Sequence, residues 1–319
     1  MKPLALVLTA APAAPVLDEA LIAAVRPLLE PAELVQARWL EPGIAWEGLL
    51  RGPAPLAPHE ARARLGAAVA GRPIDINVVS ADPAHRRKKL LVADMESTII
   101  EQECLDELAA YAGLRDQISA ITLRAMRGEL AFEAALNERV ALLKGLGAGI
   151  LQEVYADRVT VTPGAARLVA TMRRHGAHCA LVSGGFSFFS ERIAARLNFD
   201  SQQANVLEIA AGQLTGCVRQ PILGREAKLA ALDQLTHELQ LHREDTLAVG
   251  DGANDLAMLR AAGLGVAFRA KPIVAEAAAV RIDHADLTAL LYLQGYGPQD
   301  FMGSGAASAN VTAAPPGGV

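Results

Sequence analysis

The fold of this chain is decided by residues 92–100, VADMESTII, in which an apolar segment runs directly into two carboxylates, Asp94 and Glu96. The segment Leu90–Ala93 is apolar at every position, which is typical of a buried strand in a parallel sheet. Open α/β sheets bind ligands beyond the carboxyl ends of their strands. The stretch therefore predicts a strand with a functional site at its end.

Polar clusters follow other apolar segments in the same way. The segment Cys179–Val182 is followed by Ser183-Gly184-Gly185 and a helical pattern, and Thr246–Val249 is followed by residues 250–255, GDGAND. Gly265–Phe268 is a further predicted strand. Short strands that alternate with helices indicate an α/β fold with a doubly wound parallel sheet. Such a sheet would bring these polar residues to one edge.

The pattern of strands and helices predicts two domains, a linker and a tail. Residues 1–82 are expected to form a small α+β domain, with strands at Leu4–Thr9, Glu33–Leu40 and Ile74–Val79 and helices at Leu17–Leu29 and His59–Ala70. Residues 83–89, with the basic run HRRKK, are a predicted linker. Residues 90–296 form the predicted α/β domain, with a helical cap over residues 103–160 after its first strand. The Gly-, Ala-, Ser- and Pro-rich residues 303–319 are predicted to be a disordered tail.

Composition argues against several classes of protein. The 319 residues are 52% hydrophobic, as in a globular protein, and a net charge of −5 argues against nucleic-acid binding, which favours a basic surface. No uninterrupted apolar stretch reaches the ~20 residues of a membrane span. The first 16 residues resemble a weak signal peptide, but Pro3 and Pro12 interrupt their apolar run, so a strand is the favoured interpretation. Three widely spaced cysteines form neither a metal-ligand pattern nor a disulfide framework, as expected in the cytoplasm.

The candidate catalytic and metal-binding residues are Asp94, Glu96, Asp251 and Asp255. A lone aspartate at the end of a strand would most simply be the N-cap of the next helix. Four carboxylates at one edge of a sheet, however, repel one another unless a cation lies among them, and oxygen ligands suit Mg²⁺. Such a cluster is suited to phosphoryl transfer, because the ion offsets the charge of the incoming phosphate.

Two further features suit a phosphate group. Ser183-Gly184-Gly185 follows a strand and begins a helix, where backbone N–H groups and a hydroxyl can hold phosphate oxygens. Lys228 begins another helical segment. Each feature alone is an ordinary turn or an ordinary exposed lysine, and only their order along the chain with the carboxylates makes them informative.

Four motifs resemble, in order, those of the haloacid-dehalogenase-like (HAD) phosphatases: Asp94-x-Glu96-Ser97-Thr98, Ser183-Gly184-Gly185, Lys228 and Gly250-Asp251-Gly252-x-Asn254-Asp255. Within that superfamily, residues 101–109 (EQECLDELA), 126–132 (MRGELAF), 139–143 (RVALL) and 182–186 (VSGGF) look like the phosphoserine phosphatase family. The resemblance covers residues 72–296 and implies a Rossmannoid, HAD-like fold with a helical cap. Residues 1–82 resemble, more weakly, an ACT-like module for regulation or dimerisation.

The resemblance implies a role for each matching residue. It implies hydrolysis of O-phospho-L-serine to L-serine and phosphate, with Asp94 as the nucleophile that becomes an aspartyl-phosphate and Glu96 as the general acid and base. Mg²⁺ is the implied cofactor, held by Asp94, the main-chain carbonyl of Glu96, Asp251 and Asp255. The implied substrate-binding residues are Glu103, Met126, Phe132, Arg139, Ser183, Gly184, Lys228 and Asn254. The resulting prediction is a cytoplasmic enzyme of serine biosynthesis without a nucleic-acid or membrane partner, for which a homodimer is one expected assembly.

Glu96 departs from the family pattern, because most members have aspartate at this position. The two acids have similar reference pKa values, about 3.9 and 4.3, so proton transfer survives the exchange, but the carboxylate moves by ~1.5 Å. We therefore expect Glu96 to be functional. Two alternatives stay open, namely a phosphatase or phosphotransferase for another small phosphomonoester, and a catalytically impaired amino-acid-binding regulator.

Overall fold

The computed structural model describes residues 3–52, 56–127 and 129–302, with the side chain of Met126 excepted. The segment 303–319, predicted to be a disordered tail, lies outside the described residues. The first elements are β1 (Leu4–Ala10), α1 (Glu19–Val25), β2 (Glu33–Glu41), β3 (Ala45–Arg51), α2 (Pro58–Leu65) and β4 (Ile74–Ser80). The four strands form an antiparallel sheet in the order β2-β3-β1-β4.

Strand β3 was not predicted from the sequence. It pairs with both β1 and β2, so it is an inner strand, yet it contains Glu47 and Gly48, which obscure its apolar character. Glu47 is buried because Arg38 and Arg86 both donate hydrogen bonds to its carboxylate. The residues next to Glu47 in the sequence do not indicate that it is buried, because its partners Arg38 and Arg86 lie elsewhere in the chain.

The second part of the chain contains the strands β5 (Leu90–Ala93), β6 (His178–Phe186), β7 (Ser201–Asn205), β8 (Leu207–Ala210), β9 (Gln213–Val218), β10 (Thr246–Gly250), β11 (Leu264–Phe268) and β12 (Val280–Ile282). Its helices are α3 (Cys104–Tyr111), α4 (Arg115–Met126), α5 (Phe132–Ala141), α6 (Gly149–Arg158), α7 (Ala165–Arg174), α8 (Ser187–Leu197), α9 (Ala227–Glu238), α10 (Leu256–Ala261), α11 (Pro272–Ala277) and α12 (Ala289–Leu293). None of the helices within the described ranges combines the length and apolarity needed to cross a membrane.

Six of these strands form a parallel sheet in the order β12-β11-β10-β5-β6-β7. Strand β5 lies between β10 and β6, so the three strand ends that carry the predicted polar clusters are direct neighbours. This arrangement confirms the predicted α/β fold with a doubly wound parallel sheet. The edge strands β7 and β12 were not predicted, because SQQAN is polar and VRI is only three residues long.

Alternate residues of the sheet enter two separate hydrophobic cores. In β5, Leu91 and Ala93 face a core that includes residues of α7, α8 and α12, whereas Leu90 and Val92 face a core that includes residues of α9, α10 and α11. All four side chains are completely buried. Helices on both faces explain why the strand is apolar at every position, and they hold its end rigidly.

The region between β5 and β6 is helical, as predicted, and contains α3 to α7, of which α3 to α6 fall within the predicted cap. The hairpin β8–β9 supports this region, because Gly145 donates a backbone hydrogen bond of 2.9 Å to Leu214 and Ala148 donates one of 2.8 Å to Gly212. An isolated bridge between Ile100 and Val161 ties its two ends together.

Side chains of β4 join the N-terminal sheet to the parallel sheet. Buried Asp75 accepts backbone hydrogen bonds from residues 283–285, the shortest being 2.7 Å from Asp283. Asn77 donates to the carbonyl of Arg281 (2.9 Å) and accepts from its N–H (3.0 Å), as a neighbouring strand would. These paired contacts lock β4 against β12.

Candidate active site

Asp94 lies at the carboxyl end of β5. Its N–H donates to the carbonyl of Val249 (3.0 Å), and its Oδ1 accepts a hydrogen bond from the N–H of Met95 (2.7 Å). The chain then forms a tight turn over Met95–Ile99 in which Ser97 adopts a left-handed conformation, with φ of 52°. A non-glycine residue in this region costs about 1–3 kcal/mol and is held there by the surrounding structure, as is often found at functional sites.

Three aspartates converge at this edge of the sheet. Oxygen atoms of Asp94, Asp251 and Asp255 lie within 4.8 Å of one another, and all three residues are buried. Asp251 directly follows β10, and Asp255 is the residue before α10. Burial is the main cause that raises the pKa of Asp94 well above its usual range and that of Asp251 to about 6, and the charge of Asp255 adds to both shifts. The three carboxylates therefore need positive charge beside them to be ionised together.

Lys228 supplies part of that charge. Its Nζ lies 2.7 Å from Asp94 Oδ2 and 2.5 Å from Asp255 Oδ1, and the side chain is buried near the start of α9. Burial alone would lower the pKa of Lys228, but the charges of Asp94 and Asp255 raise it above its ordinary value. Lys228 alone does not balance three carboxylates, and their oxygen atoms are the ligands that a hard divalent cation prefers.

Glu96 lies beside this cluster rather than in it. Its Oε1 accepts a hydrogen bond from the N–H of Cys104 (2.8 Å), and its carboxylate lies against the Cα of Gly185, where a Cβ would approach within 2.6 Å. Burial, followed by the charge of Glu103, raises the pKa of Glu96 to about 7. A carboxyl group of this pKa can both donate and accept a proton near neutral pH.

The carboxyl end of β6 presents small residues and polar groups to the same edge, and this strand continues to Phe186 instead of ending at Val182 as predicted, so that α8 begins only at Ser187. Buried Ser183 accepts a hydrogen bond from the N–H of Gly185 through its Oγ (2.9 Å). The carbonyl of Gly184 accepts one from Asn205 (2.9 Å), which fixes the peptide orientation. A Cβ on Gly184 would lie 3.5 Å from the ring of Phe132, so this glycine lies directly beneath the cap.

A cavity of about 290 Å³ connects the cap to the carboxylates. Its lining includes the predicted residues Asp94, Glu96, Glu103, Phe132, Arg139, Gly184, Asp251 and Asn254. Ser183, Lys228 and Asp255 are buried next to it. The prediction for Met126 concerns a side chain outside the described part of the chain, although its backbone ends α4.

Of the residues predicted to bind the substrate, the cap contributes the acid Glu103 and the base Arg139 to this cavity. Glu103 accepts a hydrogen bond from the hydroxyl of Ser97 (2.8 Å), and Arg139 donates from its Nε to the carbonyl of Ala135 (3.2 Å). Burial lowers the pKa of Arg139, while nearby Asp106, Glu96 and Glu103 oppose that shift. Arg139 lines the same cavity as Glu103, Gly184 and the aspartates Asp94 and Asp251, so a ligand with charges of both signs would meet opposite charges there.

Three charged residues of the cavity were missed by the sequence analysis: Asp106, Arg225 and Lys271. Lys271 Nζ lies 3.6 Å from Asp251 Oδ2, and its N–H donates to the carbonyl of Asp251 (3.1 Å). The signal for Lys271 was its position just beyond the end of β11. Arg225 lies three residues before Lys228 in a loop, where a local pattern carries no such signal.

Comparison with known proteins identifies the relatives of this chain. Residues 91–260 match the sequence profile of the haloacid dehalogenase-like hydrolases. The chain is 44% identical over 234 residues to a phosphoserine phosphatase of Streptomyces coelicolor, and the aligned region covers 73% of this chain and 57% of that protein. It is 44% identical over 223 residues to a phosphoserine phosphatase of Polaromonas sp., and that alignment covers 68% of this chain and 94% of the relative. The structure resembles that of a probable phosphoserine phosphatase from Vibrio cholerae, with a TM-score of 0.75, 32% identity and coverage of 92% and 86%. The chain thus spans little more than half of the Streptomyces protein.

Proposed function

The chain belongs to the haloacid dehalogenase-like hydrolases, within the phosphoserine phosphatase family, and from this premise we propose that it hydrolyses O-phospho-L-serine to L-serine and phosphate. One observation carries the proposal. A buried cluster of three aspartates and Lys228 shares a cavity edge with Glu103 and Arg139 of the cap. A phosphate, an ammonium and a carboxylate on one small molecule would each meet an opposite charge there.

Asp94 is the proposed nucleophile. Its carboxylate attacks phosphorus, so that a bond from Asp94 to phosphorus forms while the bond from phosphorus to the serine oxygen breaks. Glu96 gives its proton to the departing serine oxygen, then takes a proton from the water that attacks the aspartyl-phosphate. Phosphate leaves, and both carboxyl groups return to their initial state. The contact between Glu96 and the N–H of Cys104 supports this role, because it orients the carboxylate in the cavity.

The phosphoryl oxygens are proposed to bind Ser183, the N–H of Gly184, Lys228 and Asn254. Lys228 is already fixed between Asp94 and Asp255, so its ammonium needs no reorganisation when phosphate arrives. Magnesium would be held by Asp94, Asp251, Asp255 and the main-chain carbonyl of Glu96, and its charge would offset that of the phosphate. The three converging carboxylates, of which Lys228 contacts only Asp94 and Asp255, support this assignment.

The cap is proposed to recognise the amino-acid part of the substrate. Glu103 pairs with the ammonium, and the guanidinium of Arg139 pairs with the carboxylate, which suits its planar donor geometry. Phe132, with Met126, covers the reacting group and excludes water when the cap closes. The position of the Phe132 ring above Gly184 supports this arrangement.

The domain limits stay predictions: residues 1–82 as an ACT-like domain, 83–89 as a linker and 90–296 as the phosphatase domain. A homodimer and a cytoplasmic location are likewise predictions that the family suggests. The contacts of Asp75 and Asn77 support a fixed position of the first domain against the second.

Phosphate release by the purified full chain tests the proposed function. We expect turnover of O-phospho-L-serine that requires Mg²⁺, stops with EDTA, and exceeds the turnover of phosphoethanolamine or glucose 6-phosphate by at least ~10-fold in kcat/KM. Asp94→Asn should abolish turnover, and the exposed-acid control Asp116→Asn should retain it. Equal turnover of all three substrates would favour a phosphatase for another phosphomonoester. Binding of phosphoserine without turnover would favour the regulator.

A further inference from the structure

A second cavity, of about 350 Å³, lies between the N-terminal sheet and the parallel sheet. Its walls come from β4 (residues 78–80), the connecting segment (86 and 88), α10 (256, 259 and 260), the segment that leads into β11 (262–265), the segment from the end of α11 into β12 (277–280), and Leu293. The residues that line it and those that line the active-site cavity are different. Its volume is within the range of small-molecule sites, which begins at roughly 300 Å³.

The ionisable residues of this lining are all basic: Arg86, Lys88 and Arg260. Arg86 donates a terminal N–H to Glu47, but its Nε is buried without a hydrogen-bond partner among the described residues. Lys88 is buried and donates to the carbonyls of His85 (2.7 Å) and Glu244 (2.6 Å). An ammonium has three N–H groups, so two carbonyls leave one of them available.

The charge of Lys88 is only partly compensated. Burial lowers the pKa of Lys88 to about 8, although the charges of Asp245, Glu244 and Asp82 act in the opposite direction. None of these three acids lines the cavity. A negatively charged group in the cavity would therefore lie among three cationic side chains, of which, in the part of the chain that the structure describes, only Arg86 pairs with a carboxylate, that of Glu47, and would meet no acid in the lining.

The rest of the lining is mostly aliphatic. Val78, Leu256, Leu259, Val280 and Leu293 form much of the wall. Inorganic phosphate would leave this surface unused, and an ammonium group would be repelled by three cations without an acid in the lining to pair with. The complementary ligand has one anionic end and one branched apolar end.

We propose that this cavity binds a small aliphatic carboxylate that lacks an ammonium group, with its carboxylate among Arg86, Lys88 and Arg260 and its chain against the aliphatic wall. Arginine suits this task because its planar donors match a carboxylate. One residue of the cavity wall, Leu256, directly follows Asp255 of the aspartate cluster in the sequence.

Calorimetric titration of the full chain tests the ligand class. The probe is 4-methylpentanoate, compared with leucine, which adds only the 2-ammonium, with the neutral 4-methylpentanamide, and with inorganic phosphate. We expect saturable binding of one 4-methylpentanoate per chain, at least about tenfold tighter than binding of each comparator. No saturable binding, or equally tight binding of leucine, the amide or phosphate, would overturn the proposal.

A charge reversal at the exposed mouth tests the location. Arg260→Glu should weaken 4-methylpentanoate binding by at least about tenfold, because it replaces an attraction for the carboxylate with a repulsion. Arg196→Glu, an exposed position of α8 far from the lining, is the matched control and should leave affinity unchanged. Equal affinity in both variants would place the ligand elsewhere and overturn the proposal. The readout is binding, so the result does not depend on phosphatase activity.

Discussion

The space beside Gly185 allows a sharp test of the role of Glu96. A Cβ atom added to Gly185 would lie 2.6 Å from Glu96 Oε2, 2.7 Å from its carboxyl carbon and 2.8 Å from Oε1. Gly185 does not have a positive φ, so alanine creates a steric conflict without backbone strain. The conflict falls on the carboxylate of Glu96, because that group is the end of a side chain and can move.

The expected magnitude follows from these distances. Non-bonded carbon atoms prefer separations of ~3.5–4.0 Å, so the carboxylate must move by roughly 1 Å. A displacement of that size can cost about 100-fold in rate, and we expect Gly185→Ala to lower kcat by about 10- to 100-fold. Glu96→Asp withdraws the carboxylate by ~1.5 Å and clears the added methyl group. In that background the same alanine should cost less than about threefold, a coupling of about 1–2 kcal/mol.

The assay is the initial rate of phosphate release from O-phospho-L-serine with Mg²⁺, for the parent, both single variants and the double variant. Glu96→Asp alone should lower kcat, because its shorter side chain places the carboxylate beyond reach of the N–H of Cys104. The loss should stay below ~100-fold, because a carboxylate that can transfer a proton remains. Glu96→Gln keeps the shape without the proton and should lose ~100- to 10,000-fold. An equal cost of alanine in both backgrounds would refute the steric reasoning. Full activity of Glu96→Gln would refute the acid–base role.

Three other predictions concern recognition, stability and pH. Arg139→Met should raise KM for phosphoserine by at least ~10-fold, since a charged hydrogen bond contributes about 1.5–3 kcal/mol. It should change KM for phosphoethanolamine, which has no carboxylate, by less than ~3-fold. Arg124→Met is the control, and equal effects of Arg139→Met on both substrates would contradict the role of Arg139. Asp75→Ala should lower the free energy of unfolding, measured in urea, by about 3 kcal/mol and leave kcat unchanged, because the N–H groups of residues 283–285 lose their partner. The control Asp82→Ala should change the free energy of unfolding by less than ~0.5 kcal/mol. The pKa of Lys88 is depressed in the folded chain to about 8, so the unfolded chain binds more protons between pH 8 and about 10.5 and stability should rise with pH across that window. Lys88→Met should remove about 1–3 kcal/mol of that rise in urea titrations at pH 7.5 and 10, and an identical pH dependence in parent and variant would show that Lys88 has an ordinary pKa.

The sequence by itself determined the class of fold and the place of the catalytic cluster. Leu90–Ala93 is apolar throughout because both faces of β5 are covered, and polar residues follow β5, β6 and β10 because strand ends are where a parallel sheet is open to solvent. Both signals are local. They could be read without knowing the order of the strands, and Asp94 was identified in this way.

Only the tertiary structure decided which of these residues touch. The position of β5 between β10 and β6 brings Asp94 to Asp251, the packing of α9 brings Lys228 to Asp94, and the end of β6 sets Gly185 against the carboxylate of Glu96. Asp75 has its partners more than 200 positions away, and Lys271 reaches Asp251 from another strand end. Such contacts depend on how separate elements pack, and packing leaves no periodic trace in the residues on either side. The sequence likewise showed that position 96 is glutamate where aspartate is usual. Only the fold showed that the absence of a side chain at Gly185 leaves space for the longer side chain of Glu96.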